Sequence, residues 1–157
     1  MIVVADTSPI NYLIQIEQVN VLNRLYGRVL VPPAVFSELT HAAAPPEVRE
    51  WAAGHPAWLE IIMPEMPLVL ARLDPGESEA IALAIQISAD VVLIDDHSAR
   101  QEATRQGLKV AGTLSVLDDA DQAGLLRFDD VIARLRKTSF RVSDAILAEI
   151  AQKRTQR

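Results

Sequence analysis

The sequence contains no cysteine, which excludes disulfide bonds and thiolate metal sites. It has only two Trp, two Tyr and three Phe, so we do not expect an aromatic platform for stacking the bases of single-stranded nucleic acid. The three histidines include no pair four residues apart, which argues against a histidine-ligated zinc site. Glycine-rich phosphate loops and Gly-x-Ser-x-Gly motifs are missing too, which sets aside nucleotide-loop, flavin and serine hydrolase classes.

Long apolar runs are also missing from the chain. No run reaches the ~18–20 residues that a membrane-spanning helix needs, and the N-terminus lacks the basic region of a secretory signal. We therefore expect a soluble, cytoplasmic protein. Half of the 157 residues are apolar, and a globule of this size buries roughly 70% of its unfolded surface, so we expect a single domain over 1–157 that needs no cross-links.

Charge is distributed unevenly along the chain, whose formal net charge is -6 at pH 7. Residues 1–126 contain 17 acidic and 7 basic side chains, a balance of -10. Residues 127–157 contain 4 acidic and 8 basic side chains, a balance of +4. This distribution predicts an acidic body followed by a basic C-terminal helical extension over 127–157.

Short apolar runs alternate with longer helical patterns, which is typical of a parallel sheet covered by helices on both faces. The predicted strands are Ile2–Ala5, Arg28–Val31, Trp58–Ile62, Val91–Ile94 and Leu108–Val110. One predicted helix begins at Ser8–Pro9, a second ends at Gly27 and a third begins at Pro33. The other predicted helices are Glu47–Ala53, Glu77–Ile87, His97–Gln106, Thr113–Gly124, Phe128–Arg136 and Ser143–Gln152. The helix Glu77–Ile87 is apolar almost all round, so we expect it to be deeply buried.

Acidic residues follow two of the predicted strands directly. Asp6 comes after the first strand, and Asp95 and Asp96 come after the fourth. Ligand sites in open parallel sheets form at the carboxyl ends of strands, so these carboxylates project into one crevice if the two strands are neighbours. Carboxylates packed that closely repel one another unless a cation lies between them, and oxygen-only ligands suit Mg²⁺ or Mn²⁺.

Three further acids are candidates for the same crevice, and each candidate has an ordinary structural alternative. Glu77 and Glu79 lie in the first turn of a helix, where negative charge complements the helix dipole. Glu38 lies in a helix beside apolar residues, where it is also consistent with a solvated side chain. Asp6 and Asp96 themselves are consistent with capping the helices that follow them.

Several other polar residues are expected at the surface. His97, which follows Asp96, is one of them, although it could approach the crevice. An acidic run within one predicted helix is expected to form a solvated face, and it comprises Asp118, Asp119 and Asp121.

Four sequence blocks occur in an order and spacing that resemble the PIN-domain nucleases over roughly residues 1–125. The blocks are Asp6–Pro9, Val31–Glu38, Gly76–Ala84 and Leu93–Arg100. They are most similar to a prokaryotic branch with Asp-Thr-Ser-Pro and Gly-Glu-Ser-Glu-Ala motifs, which includes toxins of VapC type. The resemblance implies a Rossmann-like three-layer α/β/α PIN domain with a central parallel sheet. It also implies a Mg²⁺- or Mn²⁺-dependent endoribonuclease that hydrolyses RNA phosphodiester bonds.

The resemblance further implies roles for individual residues. It matches Asp6 with the first acid of the family, Glu38 with the helix acid and Asp96 with the last acid, and it places Glu79 where many relatives have aspartate. The implied catalytic residues are Asp6, Glu38, Glu79 and Asp96, and the implied metal ligands are Asp6, Glu79, Asp95 and Asp96. The segment Ile94–Asp96 departs from the usual pattern, so the division of roles between Asp95 and Asp96 stays open.

Partners are implied in the same way. Small PIN toxins meet an antitoxin and often dimerise, which predicts an antitoxin protein and a homodimer. Thr7 and Ser8 stand where the family has a hydroxyl beside the metal. Because a net-acidic protein needs local positive charge to hold RNA, Arg100, Arg105 and the basic residues of the C-terminal extension are the candidate RNA contacts. Each is also consistent with an ordinary charged residue at the surface.

Two other functions remain open from the residues alone. A receiver-like phosphoacceptor domain also gathers acids around Mg²⁺ at the carboxyl ends of a parallel sheet. It requires an aspartate after a middle strand and a lysine after a late one, whereas the strand Arg28–Val31 ends in proline. The second alternative is a PIN-like binding module without hydrolysis.

Overall fold

Five parallel strands form the central sheet of the computed structural model, which describes residues 1–66, 68, 70 and 72–157. The strands are β1 (Val3–Ala5), β2 (Val29–Val31), β3 (Leu59–Ile61), β4 (Val91–Leu93) and β5 (Val110–Ala111). Their order across the sheet is β3-β2-β1-β4-β5, and each neighbouring pair is parallel. Every predicted strand is therefore confirmed, and β1 lies next to β4.

Helices connect the strands and follow the last one. They are α1 (Thr7–Gln15), α2 (Asn20–Tyr26), α3 (Pro33–Thr40), α4 (Pro46–Gly54), α5 (Pro75–Gln86), α6 (His97–Arg105), α7 (Thr113–Gln122), α8 (Phe128–Leu135) and α9 (Asp144–Thr155). The first helix starts two residues earlier than predicted, because Asp6 rather than Ser8 is the residue that precedes its first turn. Pro9 is tolerated there because backbone N–H groups of a first turn have no partner within the helix. None of the described helices has the length and apolar character needed to cross a membrane.

Strand β5 begins two residues later than predicted, and the end of α6 explains the shift. Gly107 adopts a φ of +85°, and the Leu108 N–H still donates to the Ala103 carbonyl at 3.0 Å. This bond closes the helix, as is common where a glycine follows the last turn. Pairing with β4 therefore starts only where Val110 lies opposite Val92.

The sheet is buried on both faces, because successive residues of a strand point to opposite sides. Val3 and Ala5 pack into one apolar core together with residues of α1 to α4 and α7 to α9. Val4 packs into a second core with α5 and α6. The expected three-layer α/β/α arrangement is confirmed.

Helix α5 lies deep in the second core, as predicted. Residues Ala80–Ala84 expose at most 5% of their surface. Ile85 is the exception at 41%, because the outer side of the helix is open to solvent near its C-terminal end.

The acidic run on α7 corrects one expectation from the sequence. Asp118 exposes only 4% of its surface, so the prediction of a solvated face is wrong for this residue. Its carboxylate accepts hydrogen bonds from Arg154 at 3.0 Å and Arg157 at 2.9 Å, and Arg154 also bonds to Asp121 at 2.9 Å. Burial alone would raise the pKa of Asp118, but the two arginines outweigh it and hold the pKa below its usual range. The acids of α7 thus anchor the C-terminal helix α9.

Candidate functional site

The candidate site lies at the carboxyl ends of β1 and β4. Ala5 is paired with Leu93, and the Asp6 N–H donates to the Leu93 carbonyl at 2.9 Å. The acids that follow the two strands therefore reach the same edge of the sheet. The prediction that these carboxylates share one crevice required β1 and β4 to be neighbours, and they are.

Three acids from separate elements converge at this edge and form what we call the acidic cluster: Asp6, Glu38 and Asp74. One carboxylate oxygen of each lies within 4.8 Å of the other two. Asp6 follows β1, Glu38 lies on α3, and Asp74 caps α5 by accepting a hydrogen bond from the Glu77 N–H at 2.8 Å. Asp74 was not a candidate from the sequence, since Asp-Pro-Gly predicted only the start of a helix.

Gly76 allows α5 to approach the Glu38 side chain closely. A Cβ atom at position 76 would lie 2.6 Å from Glu38 Oε1, so any residue other than glycine there requires the Glu38 carboxylate to move. Burial raises the pKa of Glu38, while hydrogen bonds from the Thr7 hydroxyl and the Gly76 backbone partly offset the rise. The pKa of Glu38 is further raised by the charge of Asp74.

Asp6 is the most deeply buried acid of the cluster, with 5% of its surface exposed. Its Oδ1 atom has no hydrogen-bond partner among the residues that the structure describes. Burial raises its pKa to about 7, and the charges of Asp74, Glu38 and Asp95 add to the rise, against a lowering hydrogen bond from the Thr7 backbone. A buried carboxylate oxygen without a partner is costly, and a cation is the natural group to satisfy it.

Glu77 lies beside the acidic cluster and exposes 8% of its surface. Its pKa is raised to about 8, first by burial and then by Asp74, with smaller contributions from Asp6 and Asp96. Its Oε2 atom also lacks a hydrogen-bond partner within the described chain. The helix dipole was the ordinary explanation for this residue, but an acid that complements a dipole is not normally buried against other acids.

Glu79 points away from these acids. Its carboxylate accepts a hydrogen bond from the Ala34 N–H at 2.8 Å, in the first turn of α3. It is not one of the described residues that line the cleft at the site. Glu79 therefore ties α5 to α3, the helix that presents Glu38.

The two acids after β4 have different surroundings. Both oxygens of Asp95 are engaged, because it accepts hydrogen bonds from Ser8 at 2.9 Å and from the backbone and hydroxyl of Thr113, each at 2.7 Å. Asp96 is exposed to the cleft and uses one oxygen to cap α6, accepting from the Ala99 N–H at 3.0 Å. Asp95 thus links α1 to α7, and Asp96 faces the open space.

The remaining predicted residues divide into those near the cleft and one that is not. Thr7 donates its hydroxyl hydrogen to Glu38, and Ser8 donates to Asp95. Arg100 lines the cleft and donates to the Ile94 carbonyl at 3.3 Å. Arg105 lies outside the cleft, where it pairs with Glu102 at 2.9 Å.

All these acids except Glu79 line one cleft of about 910 Å³. Part of its wall comes from the C-terminal extension, between α8 and the first turn of α9. The sequence offered the basic residues of this extension as candidate RNA contacts, but it did not predict which of them line the cleft, because that depends on long-range packing. The cleft combines oxygen ligands at its base with room for an extended substrate.

Comparisons with known proteins agree with this geometry. The family DUF3368, described as a PIN domain, matches residues 2–156, so the match extends through α8 and α9. A solved structure of a PilT N-terminus domain protein from the hyperthermophilic archaeon Sulfolobus solfataricus P2 is similar in fold, with a TM-score of 0.52. The two chains are 15% identical, and the alignment covers 91% of this chain and 100% of the other. No curated protein matches the sequence.

Proposed function

Because the chain belongs to the PIN domain family, we propose that it is a metal-dependent endoribonuclease and the toxin of a toxin–antitoxin pair. PIN domains are typically metal-dependent nucleases. The single observation that best supports the proposal is the acidic cluster, in which the carboxylates of Asp6, Glu38 and Asp74 converge and one buried oxygen of Asp6 has no hydrogen-bond partner among the described residues. Family membership over nearly the whole chain also disfavours the receiver-like alternative.

The donor set fits a hard divalent cation. Oxygen-only ligands suit Mg²⁺ or Mn²⁺, and positive charge would offset the burial and the neighbouring acids that together raise the pKa of Asp6. We assign the ion to Asp6, Glu38 and Asp74, with Glu77 and Asp96 beside it. When bound, such an ion polarises a phosphate oxygen and lowers the pKa of water.

The other residues near the cluster hold its members in place. Thr7 orients Glu38 through its hydroxyl, and Glu79 fixes the start of α3. Asp95 joins the loop after β4 to Ser8 and Thr113. Their contacts support positioning roles for Glu79 and Asp95, in place of the ligand roles implied by the resemblance, and Asp96 is the better candidate of the two strand-end acids.

The partners follow from the sequence resemblance. We propose that an antitoxin protein binds the enzyme and that the chain forms a homodimer. Residues 1–157 act as one domain, in which residues 127–157 complete the cleft. Induced expression should then arrest the growth of bacterial cells, and the Asp6→Asn variant should not. Growth that is unaffected by the intact protein would contradict the toxin role alone.

The nuclease proposal is tested with purified protein and a mixture of single-stranded and hairpin RNAs in Mn²⁺ or Mg²⁺, with EDTA as the metal-free reference. We expect cleavage that EDTA abolishes and that Asp6→Asn and Glu77→Gln each reduce about 100-fold or more. Glu79→Gln should keep activity within about tenfold, since the glutamine oxygen still accepts from the Ala34 N–H. Glu50→Gln on the exposed part of α4 is the matched control.

Three outcomes would contradict parts of this assignment. Binding of Mn²⁺ without cleavage of any nucleic acid would favour the non-catalytic binding module. Cleavage of DNA but not RNA would overturn the substrate. If Glu79→Gln were inactive and Glu77→Gln active, the roles implied by the resemblance would replace those assigned from the contacts.

A further inference from the structure

The cleft has a second wall, opposite in charge to its acidic base. We call it the C-terminal wall, and it comprises Ser139, Phe140, Arg141, Ser143 and Ile146. These residues belong to the basic extension and lie between the end of α8 and the first turn of α9. The wall therefore brings part of the chain's positive charge to the site.

The start of the wall is attached to α1. The hydroxyl groups of Tyr12 and Ser139 lie 2.9 Å apart in a hydrogen bond. The rings of Tyr12 and Phe140 pack edge to face, with centroids 5.0 Å apart and an interplanar angle of 75°. Because α1 also presents Thr7 and Ser8 to the acids, the residues next to Arg141 are held in a fixed relation to the site.

The end of the wall is attached through α9. The Ser143 hydroxyl caps this helix by accepting from the Ile146 N–H at 3.3 Å. Farther along, Arg154 binds both Asp118 and Asp121 and lies 4.4 Å from the centre of the Phe128 ring. The segment that contains Arg141 is thus anchored on both sides.

The balance of charge in the cleft shows why a basic side chain on the C-terminal wall would help to bind a polyanion. Six carboxylates line the cleft, and they are Asp6, Glu38, Asp74, Glu77, Asp95 and Asp96. The arginines that line it are Arg100 and Arg141, and neither forms an ion pair among the described residues. A polyanion needs local Lys or Arg to neutralise its phosphates, and acids alone repel it even when one cation is bound.

We infer that Arg141 binds a backbone phosphate of the substrate strand beside the bond that is cleaved, while Arg100 contacts the strand from the α6 side. This inference rests on the proposed nuclease function and adds a substrate-binding residue from outside the acidic motifs. Arg141 is exposed, so its guanidinium is available to a ligand in the cleft. The contact is to phosphate and is therefore independent of base sequence.

The test compares Arg141→Gln with Arg136→Gln, a matched control at an exposed arginine of the same extension that does not line the cleft. Binding of a fluorescein-labelled single-stranded RNA, and of DNA with the same sequence, is measured by anisotropy in the Asp6→Asn background across a salt series. We expect Arg141→Gln to weaken binding of both strands about three- to tenfold, and to make the slope of log K against log salt shallower by about 0.7. Arg136→Gln should change neither quantity.

Kinetics in the otherwise intact enzyme separate binding from chemistry. Arg141→Gln should raise KM about three- to tenfold with kcat within about twofold, and Arg141→Lys should restore most of the loss because it keeps the charge. The affinity for Mn²⁺ alone, measured by calorimetry, should be the same in parent and variant.

The possible failures are distinguishable. Equal behaviour of Arg141→Gln and Arg136→Gln in an active nuclease overturns the inference and leaves the proposed function intact. An effect confined to RNA overturns the assignment to phosphate, because DNA has the same phosphates. If the parent binds Mn²⁺ but neither strand, the proposed function fails and the inference fails with it.

Discussion

At the scale of single residues, the cost of burying Asp6 explains much about the site. A carboxyl group with a pKa of about 7 in the folded chain and 3.8 in its unperturbed state favours the folded protein only while it is protonated. Glu77 adds to the same effect, with a pKa of about 8. Without a cation, the two groups oppose folding at neutral pH, which is the expected behaviour of a site built to hold positive charge.

The metal-free protein should therefore lose stability as the pH rises. In EDTA, we expect the free energy of unfolding to fall between about pH 4 and pH 7 by up to a few kcal/mol, because ionisation of Asp6 is easier in the unfolded chain. Asp6→Asn should make this dependence shallower, leaving the part that comes from Glu77, and should exceed the parent in stability at pH 8. Urea unfolding followed by circular dichroism measures both effects.

In the same experiment, Mn²⁺ should raise the free energy of unfolding, whereas a rise in pH without the ion lowers it. The ion should stabilise the parent at pH 8 and have little effect on Asp6→Asn, since only a protein that binds the ion is stabilised by it. Glu50→Gln, on an exposed surface, should behave as the parent does. A parent whose stability rises with pH in EDTA would be inconsistent with a buried, unpaired Asp6.

At the scale of elements, the packing of α5 against α3 determines the shape of the acidic cluster. Two contacts define this packing: Gly76 lies against the Glu38 carboxylate, and Glu79 accepts from the Ala34 N–H. One side of α5 thus presents acids to the cleft while another holds α3. The helix is buried for much of its length, so it cannot rotate to exchange these roles.

Substitution of Gly76 should separate folding from function. Alanine is favoured over glycine in a helix by roughly 1 kcal/mol, so Gly76→Ala should not prevent folding. Its Cβ would displace Glu38, and we expect Mn²⁺ affinity measured by calorimetry to fall about tenfold or more. Gly54→Ala is the matched control, because no atom lies within 4 Å of its added Cβ. Unchanged affinity in Gly76→Ala would contradict the role of Glu38 as a ligand.

At the scale of the whole molecule, the acids of α7 hold the C-terminal helix α9 against the rest of the fold. Asp118 is buried beneath Arg154 and Arg157, whose charges keep it ionised. Because its pKa is lowered, this stabilisation persists at neutral pH and is lost only as the pH falls below the usual range of an aspartate. The same contacts anchor α9 and thereby the C-terminal wall.

Removal of this anchor should loosen the wall without altering the metal ligands. We expect Asp118→Asn to reduce the free energy of unfolding by about 1–3 kcal/mol, since a buried charge-assisted network is lost. Hydrogen exchange should accelerate in residues 136–157, nucleic-acid affinity should fall, and Mn²⁺ affinity should persist. Asp119→Asn, at the exposed neighbouring acid, should have little effect. Unchanged exchange in Asp118→Asn would show that α9 is held by its apolar contacts alone.

Local sequence patterns predicted most of the fold and part of the candidate site. Apolar runs, proline at helix starts and glycine at helix ends determine where elements begin and end, because these effects act over a few residues. The acids after β1 and β4 were predicted at one edge for the same reason, since the end of a strand is visible in the sequence. The strand order that made them neighbours was a condition that only the sheet could meet.

Tertiary structure decided which acids meet. Glu77 and Glu79 are two residues apart and point about 200° apart on a helix, so the rotation of α5 against the sheet determines which one faces the cleft. Asp74 and Arg141 join the cleft through contacts between segments far apart in the chain. Asp118 is paired with Arg154 and Arg157 because α9 packs against α7. The positions of these residues depend on packing between distant segments of the chain, and local sequence patterns do not determine that packing.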